Sequence, residues 1–108
     1  MTAPLQDATR VFIPFDHPAL AGHFPGNPIV PGVVLLDAVL HAVQTGLGQT
    51  FLAYQITSAK FLSPVKPGET LHVQYENQGK AIRFEISAGE RKVASGTLAV
   101  LAAAPAAP

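Results

Sequence analysis

Two titratable side chains and one backbone turn crowd the segment Gly22-His23-Phe24-Pro25-Gly26-Asn27-Pro28-Ile29-Val30-Pro31-Gly32-Val33-Val34-Leu35-Leu36-Asp37. His23 lies in a stretch too rich in Pro and Gly to be a helix or a strand. Asp37 follows fourteen positions later, inside an apolar run. Between them Pro31-Gly32 opens a helix and leaves its first N–H groups without intrahelical partners. Imidazole titrates near neutral pH and is suited to take a proton. A carboxyl group desolvated among Val and Leu is pushed toward its neutral form and can donate one. The Gly32 N–H, reinforced by the helix dipole, suits a developing negative charge on a carbonyl oxygen. Asp37 stands about 7.5 Å further along the axis. A base, an acid and an oxyanion donor are the parts needed for proton abstraction beside a carbonyl.

The elements that must position these groups can be read from periodicity. Arg10 to Phe15 is a short β-like run, with Pro14 confining it to an edge or a strand end. Asp16-His17-Pro18 signals a turn. From Gly32 to about Leu47 runs a helix, stopped by Gly46 and Gly48. Its apolar residues cover almost the whole circumference, and Asp37, His41, Gln44 and Thr45 form one narrow polar stripe. A helix of that kind is expected to be buried, with a sheet wrapped about it. Tyr54 to Val65 reads as a long strand; Leu71 to Glu76 and Ile82 to Ser87 alternate apolar with polar; Val93 to Leu101 closes the set. Pro67-Gly68-Glu69, Gln78-Gly79-Lys80 and Gly89-Glu90 are hairpin turns. The expected fold class is therefore α+β, with one antiparallel sheet curled round one central helix. Residues 1–101 form a single domain in this reading, and the Ala/Pro tail 102–108 is disordered.

The chain has 108 residues, 48% hydrophobic and only 13% charged, so its surface is apolar enough to predict burial in an oligomer. Seven basic residues balance seven acidic ones, which argues against nucleic acid or an anionic membrane as the partner. Cysteine is absent, which excludes disulfides and thiolate metal sites. The N-terminal residues lack a signal-peptide pattern, and Val33 to Leu36 is too short to span a bilayer. The expected location is the cytoplasm.

The string GHFPGNPIVPGVVLLDAV resembles the active-site segment of the β-hydroxyacyl-thioester dehydratases of fatty-acid synthesis, which have the hot-dog fold. Lys60-Phe61-Leu62-Ser63-Pro64-Val65-Lys66-Pro67-Gly68-Glu69 resembles the strand and turn that follow the helix in that family. The resemblance covers residues 10–101. It implies that His23 is the catalytic histidine, Asp37 the catalytic acid, and Gly32 the residue whose N–H polarises the thioester carbonyl. It further implies dehydration of (3R)-3-hydroxyacyl chains, on acyl carrier protein or CoA, to trans-2-enoyl thioesters without a cofactor or a metal. The implied unit is a homodimer with composite sites, histidine from one protomer and acid from the other, open to higher assembly. Phe24, Ile29, Val30, Val33, Phe61 and Leu62 are the apolar residues placed to line an acyl channel beside His23.

Three departures from the commonest pattern stand out. The acid is Asp37 rather than Glu, which resembles the branch that also isomerises the enoyl product. His41 replaces the usual Gln one turn on, a pairing similar to the short dehydratases of aryl-polyene clusters, and is read as orienting Asp37 from behind. Leu62 and Ser63 stand where basic residues are expected near the mouth of the site. Lys60, Lys66, Lys80, Arg83, Arg91 and Lys92 are either a patch for an acidic carrier protein or scattered solvated charges. Two other functions compete with the dehydratase: a non-catalytic acyl-thioester-binding subunit that supports a partner enzyme, and a hot-dog thioesterase. Retention of both His23 and Asp37 weighs against the first; the second needs an activated water, with its carboxylate in a different motif.

Overall fold

A computed structural model describes residues 6–12 and 29–107. Strand β1 (Gln6–Phe12) is followed by helix α1 (Gly32–Leu47) and four strands, β2 (Gln49–Phe61), β3 (Thr70–Gln78), β4 (Ala81–Ala88) and β5 (Arg91–Pro105). The strands form one antiparallel sheet in the order β1-β3-β4-β5-β2. This is the expected α+β arrangement of one helix against one sheet.

Period-2 alternation sets the inner face of the sheet. Leu71, Val73 and Tyr75 of β3, Ile82, Phe84 and Ile86 of β4, and Val93 and Leu98 of β5 are all buried. Onto them α1 lays Val34, Leu35, Val39, Ala42 and Val43. Gly48, at φ 66°, ends the helix in a left-handed cap whose N–H reaches the carbonyls of Gln44 and Thr45. Gln44 then ties the helix to the sheet, donating to the Leu40 carbonyl (3.0 Å) and accepting from the Phe51 N–H (2.7 Å). Across β3 and β4, Arg83 donates to the buried Glu76 at 2.9 Å, and Gln78 adds a bond at 3.2 Å. These bonds hold the Glu76 carboxyl below the usual carboxylate range, the Arg83 contact contributing most.

Several expectations need correction. The Ala-rich tail is not disordered from residue 102: β5 continues through Pro105, pairing Ala102 to Pro105 with Ala53 to Gln49. Its composition suggested disorder, but β2 starts directly after the helix cap and supplies backbone partners. Pro105, last in the strand, loses no needed N–H. For the same reason β2 begins at Gln49 rather than Tyr54, and it ends at Phe61, where Leu62 and Ser63 N–H both turn to the Val93 carbonyl. Nor is α1 enclosed on all sides. Val33, Asp37, His41 and Thr45, spaced one turn apart, form an exposed stripe on the face away from the sheet.

Candidate active site

The helix start is where sequence and geometry converge. Val30 donates its N–H to the Val65 carbonyl at 2.7 Å, which anchors the approach to α1 against the segment after β2. Pro31 is the N-cap, with extended backbone and no side-chain capping bond, and the first turn carries no acidic residue. The N–H groups of Gly32 and Val33 thus have no intrahelical partner. Gly32 borders an apolar pocket of about 380 Å³, lined also by Ile29, Val30, Leu35, Phe61 and Leu62, with Ser63, Pro64 and Val65 closing one side. A helix N-terminus beside an apolar wall strengthens a hydrogen bond made to an anionic oxygen there.

The wall after β2 is held by a clamp that sequence reasoning missed. Glu69 accepts from the Lys66 N–H at 2.9 Å and from Arg91 at 2.9 and 3.0 Å. Arg91 also donates to the Pro64 carbonyl at 3.3 Å. The Lys66 backbone bond, with Arg91 beside it, keeps the Glu69 carboxyl below its ordinary value. Opposite charges twenty-two positions apart carry no periodic signal, so this pairing was legible only in three dimensions. It also changes the reading of the cations: Arg83 and Arg91 are bonded to Glu76 and Glu69, and Lys92 lies 3.7 Å from Glu85. They do not form a free patch with Lys60, Lys66 and Lys80.

Of the residues singled out in the sequence, Gly32, Ile29, Val30, Phe61 and Leu62 come together around this pocket. Val33 does not. It is 72% exposed, because in a helix the neighbour of Gly32 is turned about 100° away, onto the outer stripe. Asp37 shares that stripe and is exposed in the single chain, so the burial expected for it is not supplied by its own protomer. His41 lies one turn beyond, also exposed, and no hydrogen bond among the described residues joins the two. His23 and Phe24 lie outside the described residues, as does His17. Leu35, Ser63, Pro64 and Val65 are lining residues that the sequence reading did not name; the i, i+3 spacing from Gly32 was the available signal for Leu35.

The family model of the ApeI-like proteins, described as ApeI dehydratase, matches residues 6–97. The chain belongs to the ApeI-like dehydratase family. A 3-hydroxyacyl-[acyl-carrier-protein] dehydratase FabZ from Thermus thermophilus is 38% identical over 101 residues, spanning 80% of this chain and 70% of the relative. Among solved structures, the dehydratase heterocomplex ApeI:P from Xenorhabdus doucetiae aligns with a TM-score of 0.68 and 26% identity, covering 83% of this chain and 81% of that one. The fluoroacetyl-CoA-specific thioesterase FlK aligns at a TM-score of 0.59 over 86% of this chain and 90% of that one, but at 15% identity it shares the fold alone. The fold of this ApeI-like chain is therefore the hot-dog fold, and its activity is that of a dehydratase, a hydro-lyase. The thioesterase likeness adds nothing to the competing reading beyond that fold.

Proposed function

We propose that this ApeI-like dehydratase removes water from (3R)-3-hydroxyacyl thioesters, on acyl carrier protein or CoA, at sites shared between two protomers. The observation that carries the reading is the uncapped start of α1 at Gly32, opening into an apolar pocket of about 380 Å³. The thioester oxygen accepts from the Gly32 N–H, and the acyl chain lies along Val30, Leu35 and Val65. His23 takes the C2 proton as charge grows on that oxygen. The electron pair left at C2 forms the double bond as the C3–O bond breaks, and Asp37 protonates the departing hydroxyl, which leaves as water. His23 and Asp37 exchange their protonation states, and one proton transfer between them resets the site. No cofactor enters these steps. The carrier is inferred from the Thermus relative, a 3-hydroxyacyl-[acyl-carrier-protein] dehydratase.

The second protomer is inferred from what one chain leaves uncovered. Asp37 needs a dry environment to act as an acid, and its own chain leaves it in water. The 13-residue β2 is a sheet edge with no proline and a single charged residue, Lys60, and such edges pair with another chain unless blunted. Leu52 and Leu101, 67% and 68% exposed, extend the apolar surface. A second copy along β2 and over the outer stripe of α1 would cover all of these. The alternative occupant is a different chain, as the heterocomplex named for the Xenorhabdus relative suggests for that protein. Incubation with 3-hydroxyacyl-carrier substrates of several lengths, with products weighed, tests the reaction. Loss of one water supports it; release of a free thiol, or no change in mass, overturns it.

A further inference from the structure

Phe61 occupies a position in the pocket that its hydrophobicity alone does not explain. It is the only aromatic residue among the described lining side chains, it ends β2 at the pocket mouth, and it is 51% exposed. Its ring points end-on at the first residue of α1. A Cβ built on Gly32 would stand 2.9 Å from Cζ, 3.1 Å from Cε1 and 3.3 Å from Cε2. Non-bonded carbons prefer about 3.5–4.0 Å, so only glycine lets the ring come this close. The ring's base is fixed: Phe61 pairs with Ala94 of β5, and the next two N–H groups, of Leu62 and Ser63, both donate to the Val93 carbonyl at 2.8 and 3.3 Å. Val93 itself is fully buried. Deeper in, the wall is aliphatic, formed by Val30, Leu35 and Val65, all nearly or fully buried.

The half-exposed ring and the Gly32 backbone thus stand together at one end of the pocket, and the buried aliphatic wall lies beyond them. A thioester whose carbonyl oxygen rests on the Gly32 N–H has its acyl carbon C2 one bond from the carbonyl carbon, at the end of the pocket where the ring tip meets Gly32. We propose that Phe61 is a specificity-determining residue that admits only hydrogen at C2, so that straight-chain 3-hydroxyacyl thioesters are accepted and 2-methyl-branched ones rejected. The inference rests on the dehydratase reading of the same site. Gly32 has two roles in it: its N–H binds the oxygen, and its missing side chain lets the ring stand at the level of C2.

The test compares kcat/KM for 3-hydroxybutyryl and 2-methyl-3-hydroxybutyryl pantetheine thioesters, both C2 epimers supplied, in the wild-type protein and in Phe61→Leu and Phe61→Ala. Removing the ring should raise the branched-to-straight ratio about 10-fold or more, the scale on which one methyl group is discriminated in an apolar pocket. A ratio that stays within about two-fold of wild type in both variants, with straight-chain turnover still measurable, overturns the inference and leaves the dehydratase reading standing. A wild-type protein inert toward the straight-chain substrate removes the dehydratase reading and the inference together. The ring contact is read separately by melting. Gly32→Ala should lower Tm when Phe61 is present and fail to lower it in the Phe61→Ala background. Equal shifts in both backgrounds would mean that the ring does not stand on Gly32, and would overturn the inference without any assay of activity. If Phe61→Ala fails to fold, Phe61→Leu, which keeps an apolar side chain, serves in both experiments.

Discussion

Gly96 lies where the sheet has no room for a side chain. It sits in β5 between Phe84 of β4 and Ala59 of β2, and a Cβ there would stand 2.6 Å from Phe84 Cζ and closer still to the Ser58 carbonyl oxygen. Phe84 is 1% exposed and cannot swing away, and the Ser58 oxygen is backbone. Gly96→Ala must therefore separate β2 from β5 locally or push the ring into a packed core. Overpacking of this kind costs about 1–3 kcal/mol. Against it stands a gain of about 0.4–1 kcal/mol, because alanine narrows the unfolded ensemble and the Gly96 backbone is not left-handed. The expected net loss is about 1–2 kcal/mol, roughly 5–15 °C in Tm for a domain of this size at fixed protein concentration. The displaced segment leads from Ser58 to Phe61, so dehydration should fall as well. Urea unfolding and thermal melting read the stability, and Phe84→Leu in the Gly96→Ala background should recover part of it by withdrawing the ring. A neutral or stabilising Gly96→Ala would refute the close packing of β5 between its neighbours.

Glu69→Gln should cost about 1 kcal/mol, since it weakens the Lys66 N–H bond and removes the charge partner of Arg91; urea titration at neutral pH measures it. Glu69 and Glu76 both have folded-state pKa values below 4.5, so their contribution is present above that value and is lost as pH falls through the folded values. Melting from pH 7 to pH 3 should accordingly show falling stability below about pH 4.5, with a smaller fall in Glu69→Gln. His23→Ala and Asp37→Asn should each slow dehydration by ~10² or more without loss of fold, as read by turnover beside circular dichroism. Replacing the exposed His41 with Gln should change turnover only mildly, and a collapse comparable to that of Asp37→Asn would give His41 a direct part in the chemistry.

Much of the architecture was legible because punctuation and period agreed. Pro31-Gly32 and Gly48 bound a single 16-residue helix, and the alternations Leu71-Val73-Tyr75 and Ile82-Phe84-Ile86 mark the buried face of two strands. What periodicity could not express were contacts between distant backbones. The pairing of Ala102 to Pro105 with the start of β2 comes from register, and low-complexity composition pointed the other way. In the sequence Gly32 offers only its N–H, whereas Phe61 gives a second reason for glycine that exists only once β2 ends beside α1. The apolar circumference of α1 predicts burial within one chain, yet Val33 and Asp37 face outward. Hydrophobicity reports that a surface is to be covered without saying which chain covers it. Asp37 is a dry acid only if another protomer makes it one.

The most direct test of this account mixes two inactive proteins. His23→Ala and Asp37→Asn are each purified, then unfolded and refolded together so that protomers exchange, with native mass spectrometry counting the mixed species. If each site takes His23 from one protomer and Asp37 from the other, every mixed dimer carries one site with both lesions and one intact. Random exchange should then restore about a quarter of wild-type dehydration. Mixed dimers that form in the expected proportion and remain inactive would contradict the shared site.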